Sequence, residues 1–367
     1  MDNKRKFVHV RVLLIASLVI FFGIKVLGLD TKRLSIVLSW KLPLGIMALL
    51  IGVLSITFVI LKLFKIINIK NPKKILKYIY TINIILSILF IMEFIALPLI
   101  QSFINTSTMG RIPSKDNFLD SITYIISNHA SQFIRGILMT LLLSLSGTLI
   151  GLVIAFIFVI IRTIKVNKMD SEGIAFLKTV GSGFVKIYVN IFRGTPMMVQ
   201  AVIIYYVLPV FIANTFNIPQ SSVDKLLTIT VSGIIIVSLN TAAYLVEVLR
   251  GGIEAIDKGQ MEAARSLGFT YWKAMFNIIL PQAIKNVLPS IINEFIINIK
   301  DTSVLNVIAV AELFFVAQDV KMQYYRTYEP FVIAAIIYLV LTLGTSKLLV
   351  FVEKNLSLSE TPLPSSN

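Results

Sequence analysis

The chemistry this chain offers away from bulk water is gathered near the end of one apolar run. Asn293, Glu294, Lys300, Asp301, Thr302 and Ser303 stand there together. Ionisable groups at membrane depth are costly unless used or paired. Two readings follow. Either the cluster contacts a small solute that itself carries charge, or Lys300 and Asp301 neutralise one another and hold a helix break. On another apolar run, Asn240, Tyr244 and Glu247 either line the same route or tie helices together. Catalysis has no comparable footing, because no acid–base pair, metal-ligand spacing or activated nucleophile stands out. Cysteine is absent, which excludes thiolate chemistry, and the only histidines, His9 and His129, are too few and too far apart in sequence to suggest a zinc site. There is no GxxxxGK[ST] loop, so any ATP and magnesium used must be bound by another polypeptide.

The elements that position these groups are membrane helices. Of 367 residues, 56% are hydrophobic and 14% charged, against roughly a quarter charged in soluble domains. The mean hydropathy is +0.86. The chain is read as an all-α polytopic membrane protein with about eight spans, at residues 12–29, 42–63, 78–103, 136–162, 197–212, 226–249, 282–299 and 331–352. Lys62, Lys65, Lys70, Lys73, Lys74 and Lys77 mark an inner loop, which places both termini on the cytoplasmic side. The net charge of +15 then reflects lysine-rich inner loops and not nucleic-acid binding. Lys25 snorkels from a retained first helix, and Glu93 within the third is either functional or paired. Residues 104–133 read as an outer connector with an amphipathic piece at 118–126, and residues 163–192 as a basic, interfacial helix. Thr195 and Pro196 suit the N-cap and first position of the fifth span. The abundance of Ile, Lys and Asn suggests an AT-rich bacterial genome.

Between the sixth and seventh spans lies a short polar stretch, residues 259–281 (GQMEAARSLGFTYWKAMFNIILP). Ile253, Ile256, Ala263, Ala264 and Leu267 recur at helical spacing, and Gly268 sits where a left-handed cap ends that helix. Thr270 can cap a second helix, with Pro281 closing the pattern. The result is a rigid knob of two short helices.

Glu262-Ala263-Ala264, Gly268, Ile278 and Leu280-Pro281, at these spacings, resemble the EAA loop of ABC-importer permeases. YVNIFRGTPMMVQ (188–200), SLNTAAYLVEVLRGGIEAIDKGQ (238–260), KDTS (300–303) and Ala311-Glu312-Leu313 look like the polar amino-acid branch of that family. The resemblance implies a five-helix permease core over residues 131–356 with a cytoplasmic coupling loop at 251–281. Residues 1–130 form an N-terminal extension with about three helices, and 357–367 a polar tail. It further implies a bacterial plasma-membrane transport subunit, not an enzyme, working by alternating access. The expected partners are cytoplasmic ATPases that bind ATP and magnesium, an extracytoplasmic amino-acid-binding protein, and a second permease copy, identical or related. No cofactor or metal is expected in this chain. Glu262, Ala263, Ala264, Arg265, Gly268 and Arg193 are the expected coupling residues. Asn293, Glu294, Lys300, Asp301, Thr302, Ser303 and Asn240 are the candidates for solute contact. The alternatives are an importer of another small zwitterion, such as a betaine, or a membrane sensor or scaffold.

Overall fold

The computed structural model describes Thr81 and residues 96–106, 109–114, 117–164, 166–167 and 170–357. The expected spans at 12–29 and 42–63, and Glu93 with most of the third span, lie outside these residues. Among the described residues every regular element is helical. In chain order they are α1 (Leu97–Thr106), α2 (Phe118–Thr163), α3 (Glu172–Gly194), α4 (Met197–Phe216), α5 (Gln220–Leu226), α6 (Ile229–Glu254), α7 (Lys258–Ser266), α8 (Tyr271–Ile308), α9 (Leu313–Tyr324) and α10 (Tyr328–Ser357).

The chain divides into two compact units, 1–124 and 125–367. Within the first, the α1 hydroxyls of Ser102 and Thr106 meet Thr123 at 2.7 and 3.2 Å. The expected break between an amphipathic piece and the fourth span does not occur. Instead α2 is one helix of 46 residues, about 69 Å long at 1.5 Å per residue. Its early polar turns extend the span beyond the bilayer core.

Among the described residues six helices are long and apolar enough to cross a membrane: α2, α3, α4, α6, α8 and α10. The sequence reading had five in this region and placed α3 at the interface. Packing resolves the difference. The α2 residues Gly147, Gly151 and Arg162 meet the α6 residues Val237, Ser238 and Glu247 in ascending order, so the two helices run parallel. The chain therefore crosses an odd number of times between the end of α2 and the start of α6. Since α3 and α4 cannot both cross completely, together they make one broken crossing. Tyr188 of α3 donates to the Leu239 carbonyl midway along α6 at 2.5 Å, so α3 ends deep in the bundle and α4 completes the passage.

Close approach of α2 and α6 depends on their glycine contacts. A Cβ at Gly147 would lie 2.3 Å from a Val237 methyl, and one at Gly151 2.9 Å from the Ser238 carbonyl. The Asn298 amide of α8, buried, donates to Thr148 of α2 and Thr241 of α6, both at 2.9 Å. Further along the same helices pack Ala155, Val159, Tyr188, Leu245, Leu249 and Val287. Interhelical hydrogen bonds and small-residue contacts replace the hydrophobic drive that is missing in lipid.

Among the described residues, π-helical segments interrupt α4 at Ile203–Val207 and α8 at Met275–Ile279. Each is followed directly by Leu-Pro: Leu208-Pro209 and Leu280-Pro281. A proline removes one backbone donor and crowds the carbonyl four residues earlier. The widened turn accommodates both, because the preceding leucine N–H reaches back to Ile203 or Met275. Pro281 therefore does not close the helix, as the sequence pattern suggested. Likewise α4 starts at Met197 with Pro196 as its N-cap, one residue later than expected, and Thr195 donates back to Ile191 within α3.

Candidate functional site

The α3–α4 break frees backbone groups at membrane depth, and one side chain gathers them. The buried Gln200 amide donates to the carbonyls of Phe192 and Thr195 at 2.9 and 3.0 Å and to the Thr195 hydroxyl at 2.9 Å. Its oxygen accepts from Asn240 Nδ2 of α6 at 3.1 Å. Irregular backbone is tolerated at such depth only where protein or a watery cavity satisfies it.

A cavity of about 610 Å³ opens against this break, lined among others by Arg193, Thr195, Asn240, Tyr244, Glu294 and Asp301. The Arg193 guanidinium lies 5.2 Å from the centre of the Tyr244 ring, a cation–π arrangement that leaves its edges free to donate. The start of α4, with its positive dipole end, adjoins it. Across the cavity α8 presents Glu294 and Asp301. Among the described residues, none of these three charges forms an ion pair. The arrangement sets one fixed cation against two carboxylates at a discontinuous helix, a geometry suited to holding a small charged solute.

The structure sorts the candidates for solute contact. Asn240, Glu294 and Asp301 line the cavity. Asn293 and Lys300 are exposed elsewhere on α8, and Thr302 is buried with its hydroxyl on the Ile299 carbonyl. Ser303 is half-buried and does not line the cavity. Lys300 and Asp301 form no ion pair in contact, although the Lys300 charge acts on Asp301 through space. Glu247 ties helices together, bonding Arg162 of α2 and, at 2.9 Å, Arg250. Gln200 was missed, although a glutamine one turn inside a span after Thr-Pro is itself a signal of freed carbonyls.

The elbow at α7–α8 is built largely as its residues suggested. Asp257 caps α7 by accepting from the Gly259 amide at 2.6 Å. The α7 helix starts at Lys258, because Ile253 belongs to α6. At its end the Gly268 and Phe269 amides donate back to Arg265 and Ala264, with Gly268 at φ +84°. That paired closure needs a left-handed residue, which glycine supplies without strain. Thr270 then caps α8 by accepting from Lys273 at 3.3 Å.

Side-chain placement departs from expectation in four respects. Ala264 is buried inside the elbow, while Glu262, Ala263 and Arg265 are exposed. Arg265 donates to the Phe269 carbonyl at 3.2 Å and so braces the elbow itself. Leu267, expected on the inner stripe, is 79% exposed because α7 has already ended at Ser266. Arg193 lies in the cavity, about 15 Å along α6 from the elbow, judged by its contact with Tyr244.

A charged cavity at a helix break, walled by membrane helices, fits a transport permease, a subunit that moves solute. Residues 173–357 match the family model described as binding-protein-dependent transport system inner membrane component, and the chain belongs to that family. The glutamine transport system permease protein GlnP of Escherichia coli K12 is 32% identical over 225 residues, 61% of this chain and 93% of that one. The arginine transport system permease protein ArtQ of Bacillus subtilis 168 is 40% identical over 156 residues, 42% of this chain and 66% of that one. A chain of a solved amino acid ABC transporter superposes with a TM-score of 0.51 at 35% identity, covering 63% of this chain and 96% of that one. The protein is thus a multi-pass inner-membrane component whose family works with a binding protein and an ATPase.

Proposed function

We propose that this chain forms the path by which an ATP-binding-cassette importer carries a polar amino acid into a bacterial cell. The observation that carries this reading is the cavity of Arg193, Glu294 and Asp301 at membrane depth. Arg193, Tyr244 and Asp301 are exposed on the single chain, and such charges do not face lipid. The face is therefore closed by a second permease subunit, which makes the cavity a central compartment. An amino acid matches it chemically: the α-carboxylate meets Arg193 and the start of α4, and the ammonium meets Glu294 or Asp301. The relatives named for glutamine and arginine transport agree with that class.

The α7–α8 elbow faces the cytoplasm and seats in a cleft of a separate ATPase, which holds the ATP and magnesium. Leu267, with Glu262 and Ala263 beside it, is the contact surface, and Trp272 stacks on Phe276 at 5.8 Å to stiffen the start of α8. Closure of the ATPases moves the elbows and reorients α8 about the cavity. The C-terminal end of α10 lies on the same side as the elbow. His129 bonds Tyr324 at 2.8 Å near the outer turn between α9 and α10, so α10 descends from there. A binding protein delivers the solute from outside.

Leu267→Asp tests the docking. Because Leu267 touches little within the chain, the variant keeps its thermal midpoint, yet it no longer co-purifies with the ATPase and loses ATP-dependent uptake in proteoliposomes. Ala264→Arg is a poorer probe, since Ala264 is 2% exposed and its replacement breaks the elbow itself. Unimpaired association and uptake by Leu267→Asp would refute the docking role.

A further inference from the structure

Three helices meet at the inner end of the bundle, where α6 hands the chain to the elbow. On one side α6 meets α8 at Gly252, with Val287 and Ala283 against it. Packed helices slide past one another there without a directional bond to break. On the other side α6 is tied to α2 by charge. Glu247 takes a guanidinium on each carboxylate oxygen. Arg162, in the last turn of α2, donates to Oε1, and Arg250, one turn further along α6, donates to Oε2 at 2.9 Å. Arg250 reaches on to Glu254, the last residue of α6, at 2.6 Å. Two arginines and two glutamates thus make a neutral chain across the inner ends of α2 and α6. Arg162 and Glu247 are mostly buried, so water screens their attraction less than that of a surface pair. Inward of Asn298 the rest of the α2–α6 contact is apolar, with Ala155, Val159, Leu245 and Leu249 in one cluster.

The two sides of α6 yield differently under load. A push on the elbow acts on α6 and α8 together, because α7 is joined to both. An α6 free to follow would absorb the motion before α8 could turn about Asn298. The ion pair holds α6 to α2 at a second point, inward of the Thr241 bond, and leaves sliding at Gly252 as the easier movement. We propose that Arg162 is a positioning residue of the ATP-driven stroke, bracing α6 against α2 so that displacement of the elbow is spent on α8. This inference rests on the importer reading above.

Arg162→Gln removes the brace selectively, because Glu247 keeps Arg250 and no buried carboxylate is stranded. The assay is uptake of radiolabelled glutamine or arginine by proteoliposomes holding permease, ATPase and binding protein. Solute moved per ATP hydrolysed is expected to fall about two-fold or more, the low end of what residues between coupled sites contribute. Arg162→Lys keeps the charge and recovers most of the ratio. A merely structural loss lowers uptake and hydrolysis in step and leaves the ratio unmoved. The chain has no cysteine, so spin labels at the exposed positions Ile157→Cys on α2 and Gly251→Cys on α6 report the brace directly. Their separation stays constant when ATP and magnesium are added to the otherwise unaltered assembly, and it lengthens or broadens in Arg162→Gln.

An unchanged ratio in Arg162→Gln, whatever its absolute rates, overturns the inference and leaves the importer reading standing. Should that variant fail to assemble with the ATPase, the labels in the otherwise unaltered chain decide, since a separation that changes with ATP overturns the brace. Absence of ATP-dependent uptake by the parent for every amino acid tested refutes the importer reading itself.

Discussion

Replacing Gln200 with leucine removes the polar clamp on the α3–α4 break while keeping the side chain's length and bulk. The loss can be apportioned from the contacts. The Thr195 carbonyl and hydroxyl border the cavity, where water can replace the amide at small cost. Asn240 lines the cavity as well, so its amide can also turn to water, whereas the Phe192 carbonyl keeps only the Asn240 amide at 3.5 Å. A polar group so stranded costs about 1–3 kcal/mol, and Gln200→Leu should destabilise the permease by about that much. Asn240→Leu removes the facing partner, and the double variant should show a coupling energy of roughly 1 kcal/mol or more. Reversible unfolding in mixed detergent with rising dodecyl sulfate measures all of these. Because the clamp also fixes the start of α4 beside Arg193, half-saturation for solute should rise several-fold in Gln200→Leu. Stability within about 0.5 kcal/mol of the parent, or a coupling energy near zero, would refute the view that Gln200 makes the break tenable.

Gly252→Ala brings a Cβ to 2.3 Å from a Val287 methyl and 3.3 Å from the Ala283 carbonyl, wedging α6 from α8. Overpacking of this kind costs about 1–3 kcal/mol, and Val287→Ala should recover most of it in the same unfolding assay, because the remaining Cβ lies 3.6 Å away. In the turn before α3, the Lys178 ammonium, donating at 2.7 Å, holds the Asp170 carboxyl below its ordinary range, and the Asn167 amide adds to this. A lowered carboxyl pKa contributes order that is complete above about pH 3.9 and is lost as pH falls through the lowered value. Amide exchange, corrected for its intrinsic pH dependence, should therefore rise in the 166–178 region on acidification below that pH. Asp170→Asn should show the raised exchange already at neutral pH, and a flat profile in the parent would count against the contact.

The sequence was most informative where a local rule is strict. Gly268 and Thr270 read as caps because a left-handed residue and a side-chain acceptor are needed at those positions, and the structure has both. What escaped were features set by partners distant in sequence. Leu267 fits the apolar period of α7 yet points outward, since the cap ends the helix one residue before it. Arg193 was expected among the coupling residues, yet it lies near the end of α3 and lines the cavity. Only the parallel run of α2 and α6 reveals that the end of α3 lies deep in the bundle. The π segments left a fainter trace, a Leu-Pro pair inside an apolar run, which hydropathy treats as uninterrupted helix.

One helix carries both ends of the proposed mechanism. Within α8, Thr270 caps the start at the elbow, and Glu294 and Asp301 face the cavity. From Tyr271 to Glu294 the helix rises about 35 Å, comparable to the hydrocarbon core of a bilayer. A push on the elbow thus reaches the solute site along continuous hydrogen-bonded backbone. Two features govern how it arrives. The π segment at Met275–Ile279 lies between elbow and membrane and supplies a place to bend. Asn298, bonded to Thr148 and Thr241, pins α8 to α2 and α6 one turn beyond Glu294. In the proposed cycle, motion of the elbow would turn Glu294 and Asp301 about that pin, relative to Arg193 on the other side of the cavity. Moving these charges apart would weaken the hold on a bound amino acid when the inner end opens, which release into the cell requires.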